Sequence, residues 1–200
     1  VSSEFQEKCR TTIDDCLDVV RIELEKAMEK KEFVDEVRSK TLAYSGEILM
    51  SHMMEYILQS QGIKSKVVGL DNWPIITDSN IESTNFLASE SNKKVEFLER
   101  LLDENQVITI GGFIGRTADG VITTYERGGS DRTAADLGIL LHKKFDVKIN
   151  LEKDSSVVSA DPRIVKDGLT EVHSISYNEA RLAGMFGMNI LDPVAIKEIL

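Results

Sequence analysis

The chain has 200 residues and is 42% hydrophobic, enough for one full hydrophobic core and so for one domain or most of one. Its formal net charge of −10, with no lysine- or arginine-rich run, argues against a nucleic-acid partner. No apolar run is long enough to span a bilayer and no signal-peptide pattern occurs, which points to a cytoplasmic protein.

In chain order, Ser2 to Lys31 reads as a long helix or a helical pair, with Ile13, Leu17, Val20 and Leu24 as its apolar stripe. If this segment is helical, Cys9 and Cys16 lie roughly 10 Å apart along its axis, too far for a disulfide, so both read as reduced thiols. Neither pairs with His52, His142 or His173 at metal-ligand spacing, and no protein metal cage is expected. Phe33 to Gln61 is a second helical region ending at Gly62, interrupted near a helix start by Ser45-Gly46-Glu47. Lys66 to Leu70 is a strand candidate, Asp71 to Asn80 a polar loop, and Asn92 to Asp103 an amphipathic helix.

The stretch from Val107 to Leu141 is the most informative. Val107 to Ile110 fits a short buried strand, broken by Gly111-Gly112-Phe113-Ile114-Gly115, where glycines permit close backbone approach to a ligand. Asp119-Gly120 marks a hairpin turn, with Val121 to Thr124 returning. Arg127-Gly128-Gly129-Ser130-Asp131 then opens into a helical pattern from Arg132 to Leu141. A glycine-rich loop feeding a helix start gathers unpaired N–H groups and the positive end of the dipole, a site for phosphate or carboxylate. Arg127 adds a planar fork for a carboxylate or phosphate. Asp131 adds an acceptor able to hold magnesium or orient a nucleophile. Ser130, taken alone, is equally an ordinary N-cap. Beyond this, Asp146 to Leu151 reads as a strand. Ser176 to Phe186 opens on a Ser176–Glu179 capping box, and Pro193 to Leu200 closes the chain as a helix. Strands alternating with helices argue for parallel pairing by crossovers.

Several of these segments together resemble the aspartate kinases of the amino-acid kinase superfamily. The resemblance rests on Tyr44-Ser45-Gly46-Glu47, Gly112-Phe113-Ile114-Gly115, Thr123-Thr124, Arg127 to Asp131, Ala160-Asp161-Pro162-Arg163, Ser176 to Ala180, Phe186-Gly187 and Leu191-Asp192-Pro193. Their order and spacing run over roughly Arg38 to Ile196. The resemblance implies a three-layer α/β/α sandwich around a mainly parallel sheet. It also implies transfer of the γ-phosphoryl group of ATP, with Mg²⁺, to the side-chain carboxylate of L-aspartate, in the pathway to lysine, threonine and methionine. Residues 1–200 would form a partial catalytic domain, helical over 1–62 and an α/β core over 63–200, in a homo-oligomeric protein.

Carried over position by position, Glu47 takes the substrate ammonium, Arg127 clamps a carboxylate, and Ser130 and Asp131 sit at the helix start, with Arg127 and Asp131 as the catalytic pair. Phe113 touches substrate, while Gly128, Gly129, Lys153 and Arg163 face the nucleotide. Without the resemblance, Glu47 is a carboxylate favoured by a helix start, Phe113 a core aromatic and Arg163 a surface cation.

The chain also departs from the pattern. The family's opening Lys-Phe-Gly-Gly-Thr-Ser unit is absent, so the chain reads as a fragment entering roughly one βαβ unit late. Glu152-Lys153-Asp154 stands where Thr-Asp is usual, Val158 replaces a tyrosine, Asn189 a lysine and Asp192 a histidine. These leave two alternatives: a degenerate, regulatory member of the fold, and a kinase with another acceptor such as glutamate. Phosphoryl transfer needs positioning and charge neutralisation rather than a strong base, so the lack of a catalytic histidine or cysteine constellation suits it.

Overall fold

A computed structural model describes residues 3–126, 128–152, 156–161, 164–186 and 192–199. Packing divides the chain into two compact units, Val1–Ser130 and Asp131–Leu200.

The first unit opens with α1 (Ser3–Lys30), one long helix where a long helix or a helical pair was expected. Its apolar stripe is not its buried face. Cys16 and Ala27 are buried, whereas Leu17 is 49% exposed and Ile13 and Leu24 are also exposed. The inner face is selected by polar contacts about 100° away around the helix. Thr12 Oγ1 meets the Tyr56 hydroxyl at 2.9 Å, and Glu23 accepts from Lys40 Nζ at 2.7 Å. The Lys40 hydrogen bond is the chief cause holding the Glu23 carboxyl below its usual range, against the opposing effect of burial. Cys9 and Cys16 are both free thiols, and burial pushes the Cys16 thiol up.

The second helical region runs from Asp35 to Ser60 as α2 (Asp35–Leu42), a π-helical turn (Ala43–Glu47) and α3 (Ile48–Ser60). Ser45-Gly46-Glu47 therefore marks no helix start: the helix passes through it, widened by one residue, with Ile48 N donating to Ala43 O. Such single-turn bulges reorient one side chain while the hydrogen-bond ladder continues. Gly62, at φ +79°, lies just past the end, as expected of a glycine terminator.

After α3 come β1 (Ser65–Val67), α4 (Ala88–Asn92), α5 (Val95–Glu104) and β2 (Val107–Thr109). β1 and β2 pair in parallel, Ser65 opposite Val107 and Val67 opposite Thr109. The helix expected over Asn92 to Asp103 is α5, which starts three residues later and is preceded by the separate short α4. α5 turns Leu98 and Leu101 into the core.

The intervening segment departs most from a polar loop. Trp73, Ile75 and Ile76 are buried, and Trp73 Nε1 donates to Ile114 O at 3.1 Å. It is held by β-bridges from Ile76 to Arg116 and from Thr77 to Phe86, and by Asp78, which accepts from Asn80 and Asn85. A chain satisfied by such side-chain and bridge contacts can be buried without regular structure. The hairpin is as expected: β3 (Ile114–Arg116) pairs antiparallel with β4 (Ile122–Thr124), and Gly120 takes φ +100° at its turn.

α6 (Gly129–Leu141) crosses from the first unit into the second. In the second unit α6 carries buried Ala135 and Leu140 beside buried Arg132, Thr133 and Asp136. The segment Asp146 to Leu151 forms no strand. Its alternating Val147 and Ile149 lie instead over Gly138, where an added Cβ would come within 2.9 Å of Ile149 Cδ1. The alternation is met by packing on a helix, and among the described residues no neighbouring strand pairs with it. α7 (Tyr177–Met185) starts with the expected reciprocal capping box of Ser176 and Glu179. It packs against α8 (Pro193–Ile199), whose first amides, Val194 N and Ala195 N, donate to Asp192 Oδ1.

Candidate functional site

Within the first unit, the widened turn before α3 and the loop after β2 meet. Glu47, the last residue of the π-helical turn, is half-buried, and its Oε2 accepts the Gly112 amide N–H at 3.2 Å. A charge-assisted bond of this kind holds a carboxylate in one orientation. The approach is close at the backbone too: a Cβ on Gly111 would lie 3.1 Å from Glu47 Cβ and from Glu47 O. On the other side, a Cβ on Gly112 would lie 2.9 Å from Ser130 Oγ and 3.0 Å from Ser130 Cβ. The two glycines therefore admit two protein side chains, Glu47 and Ser130, to one short piece of backbone.

Phe113 completes the loop at φ +69°, a left-handed conformation that a phenylalanine adopts only under constraint, at a cost of about 1–2 kcal/mol. The constraint is visible on both sides. Phe113 O accepts from Tyr125 N at 3.0 Å, and the ring edge lies against Gly129, where a Cβ would come within 3.0 Å of Phe113 Cδ2 and 2.4 Å of Tyr125 Cβ. Tyr125 is 1% exposed and is the largest wholly buried side chain of the described residues. Beneath the loop, Thr77 Oγ1 and Thr123 Oγ1 share a hydrogen bond of 2.7 Å, and Gly115 leaves no room for a Cβ beside them.

The start of α6 follows from the glycines before it. Gly128 turns the chain at φ +92°, and Gly129 N donates back to Glu126 O. The helix then begins at Gly129 instead of Arg132, so Ser130 stands in its first turn and is not the N-cap. In the second unit, Asp131 Oδ2 accepts the Asp192 amide at 3.2 Å, the same Asp192 that caps α8.

Of the residues singled out in the sequence, Glu47, Phe113, Gly129 and Ser130 converge around Gly111 and Gly112. Gly128 precedes them at the turn, and Asp131 follows in the chain with its partner in the second unit. Arg127, Lys153 and Arg163 lie outside the described residues, as do Asn189 and the Gly187 and Leu191 motif positions. Sequence reasoning passed over Tyr125 and the Thr77–Thr123 pair. The only available signal for Tyr125 was a bulky aromatic two residues before Arg127. Among the described residues no three Asp, Glu, His or Cys side chains gather as a metal cage.

Comparisons with known proteins assign the chain to a family. The sequence profile of the amino acid kinase family matches residues 6–199. The chain belongs to that family. It is 33% identical over 160 residues to the bifunctional aspartokinase/homoserine dehydrogenase 2, chloroplastic, of Arabidopsis thaliana, covering 79% of this chain and 17% of that protein. It is 32% identical over 158 residues to the aspartokinase of Geobacillus stearothermophilus, covering 78% and 37% respectively. Its fold is that of E. coli aspartokinase III solved with lysine and aspartate, with a TM-score of 0.80 at 24% identity, over 96% of this chain and 42% of that one. The same enzyme solved with aspartate and ADP gives 0.79. The amino-acid kinase fold expected from the motifs is therefore the fold of this family member. The chain spans well under half the length of these relatives.

Proposed function

We propose that the protein carrying this chain is an aspartate kinase, transferring the γ-phosphoryl group of ATP to the side-chain carboxylate of L-aspartate to give 4-phospho-L-aspartate. The observation that carries the reading is the Glu47 carboxylate held on the Gly112 amide, with Ser130 against the other side of the same residue. One oxygen of Glu47 is held by the Gly112 amide, and the carboxylate so held suits an amino-acid ammonium. Aspartate fits that amino group and a helix start able to receive an anion. The names of the relatives, and the aspartate and ADP in the E. coli structures, point the same way.

Each residue then has a role. Glu47 binds the ammonium, Arg127 clamps a carboxylate of the acceptor bidentately, and Phe113 walls the acceptor. Ser130 and Asp131 occupy the first turn of α6, where charge is transferred, and Gly128 and Gly129 offer backbone to the phosphates. Lys153 and Arg163 supply positive charge on the nucleotide side. A magnesium ion suits this donor set as one carried by the nucleotide phosphates, which need only one or two protein carboxylates; Asp131 is the one offered. Bound there, it would supply neutralisation of phosphate charge, while the protein's own residues orient acceptor and donor. The acceptor carboxylate is ionised at neutral pH, so no general base is required. No helix among the described residues is long and apolar enough to cross a membrane; a cytoplasmic homo-oligomer, without nucleic acid or membrane as partner, completes the reading.

The test is hydroxylamine trapping of the acyl phosphate on the full-length protein with Mg²⁺ and ATP. Hydroxamate formed with aspartate and not with glutamate is expected. Aspartate binding without hydroxamate would replace catalysis by a binding or regulatory role, and hydroxamate with glutamate alone would change the acceptor.

A further inference from the structure

We propose that Gly112 is a specificity-determining residue that sets the length of the acceptor, favouring a four-carbon amino dicarboxylate over its five-carbon homologue. The inference rests on the aspartate kinase reading and deepens it. Glu47 and Ser130, the groups assigned to the ammonium and to the reacting end, both seat on this one residue. Glu47 accepts the Gly112 N–H at 3.2 Å, while Ser130 lies where a Gly112 side chain would begin, 2.9 Å from Oγ and 3.0 Å from Cβ. Gly111 repeats the arrangement toward Glu47 at 3.1 Å.

Only one residue of backbone thus separates the two anchoring groups. Neither can drift apart without opening a gap, because Phe113 and Tyr125 hold Gly129, the neighbour of Ser130, from below. A methyl group on Gly112 would meet Ser130 Oγ and Cβ first. It would wedge between Gly112 and Ser130, lengthening the distance from Ser130 to Glu47. The acceptor that gains is the one longer by a methylene, and a methylene is worth roughly 10- to 200-fold in discrimination.

The experiment compares kcat/KM for aspartate and for glutamate in wild type, Gly112→Ala, Ser130→Gly and the double variant of the full-length protein. Gly112→Ala is expected to lower the aspartate-to-glutamate ratio by about tenfold, mainly through the KM for aspartate. The double variant, with Ser130 Oγ and Cβ removed, is expected to recover selectivity lost by Gly112→Ala, a non-additive coupling. An unchanged ratio in Gly112→Ala, or strictly additive effects, overturns the proposal while wild-type turnover of aspartate leaves the kinase reading in place. Wild type inactive on both acceptors overturns the kinase reading itself, and this inference with it. Should Gly112→Ala fail to fold, Ser130→Thr adds the methyl from the opposite side; a ratio unmoved by it also overturns the proposal.

Discussion

The Gly111–Phe113 loop and helix α1 are both strongly patterned in sequence, yet they specify structure in opposite ways. In the loop every small residue answers to a neighbour: Gly111 to Glu47, Gly112 to Ser130, Gly115 to Thr77 and Thr123. In α1 the patterned residues are only partly covered: Ile13, Leu17 and Leu24 are exposed and Val20 half-buried, while the buried positions are Cys16 and Ala27. A hydrophobic stripe states a preference for leaving water, which several faces can satisfy partly. A missing Cβ states a distance, which only one arrangement satisfies. Gly46 marks the boundary of that rule: it sits in the Ser45-Gly46-Glu47 motif, but nothing lies within 4 Å of where its Cβ would be. There the motif glycine reflects the widened turn and not a close neighbour.

The contrast can be broken at its strongest point first. Gly115→Ala would place a Cβ 2.3 Å from Thr77 Cγ2 and 2.8 Å from Thr123 Oγ1. It should destabilise the protein by about 3 kcal/mol, the upper range of core overpacking. Urea unfolding measures this, and a wild-type midpoint would show the loop to be far more compliant than its distances imply.

Glu47→Gln keeps an oxygen to accept the Gly112 N–H but removes the charge. The KM for aspartate should rise about tenfold with kcat little changed, because an ammonium contact is made in ground and transition states alike. A fall in kcat alone would remove Glu47 from the ammonium role.

On α1 the effects should be smaller. Lys40→Met removes the partner of Glu23 and is expected to cost at most about 1 kcal/mol, since the pair is partly open to solvent. The pH dependence gives the sign. The Glu23 carboxyl is depressed in the folded protein, so its contribution is present above the unfolded value of about 4.3 and is lost as pH falls through the lower folded value. Lys40→Met should flatten the loss of stability in that acidic window. An undiminished acid slope would show that Lys26 alone sustains the shift. Last, Leu17→Lys should change stability by less than about 0.5 kcal/mol by thermal unfolding. A larger loss would mean that the stripe on α1 is covered in solution.

Much of the fold was legible in local pattern. The α1 span, the Asp119-Gly120 hairpin and the Ser176 capping box each depend on contacts within a few residues, where propensity and turn chemistry suffice. The Asp146–Leu151 strand and the polar loop from Asp71 were misread because alternation and polarity report burial, not the partner that provides it. Val147 and Ile149 found a helix, and Trp73 and Ile75 found the backbone edge of β3, at Ile114 O and Arg116 N. At the site, glycine, serine and glutamate were visible as residue types that suit an anion and an ammonium. That the glycines admit Glu47 and Ser130, instead of bare ligand, was not visible, since these groups lie 65 and 18 positions apart from Gly112 in the chain.

By itself, the sequence determined the family, most of the helices and the Asp119-Gly120 hairpin, because these rest on residue type and short spacing. The tertiary structure alone decided which face of α1 is buried, that the Ser45-Gly46-Glu47 turn is an inserted residue within a continuous helix, and that Glu47 and Ser130 share Gly112. Those are distances between segments far apart in sequence. They are set by excluded volume and by which buried polar groups find partners, and no local pattern encodes them.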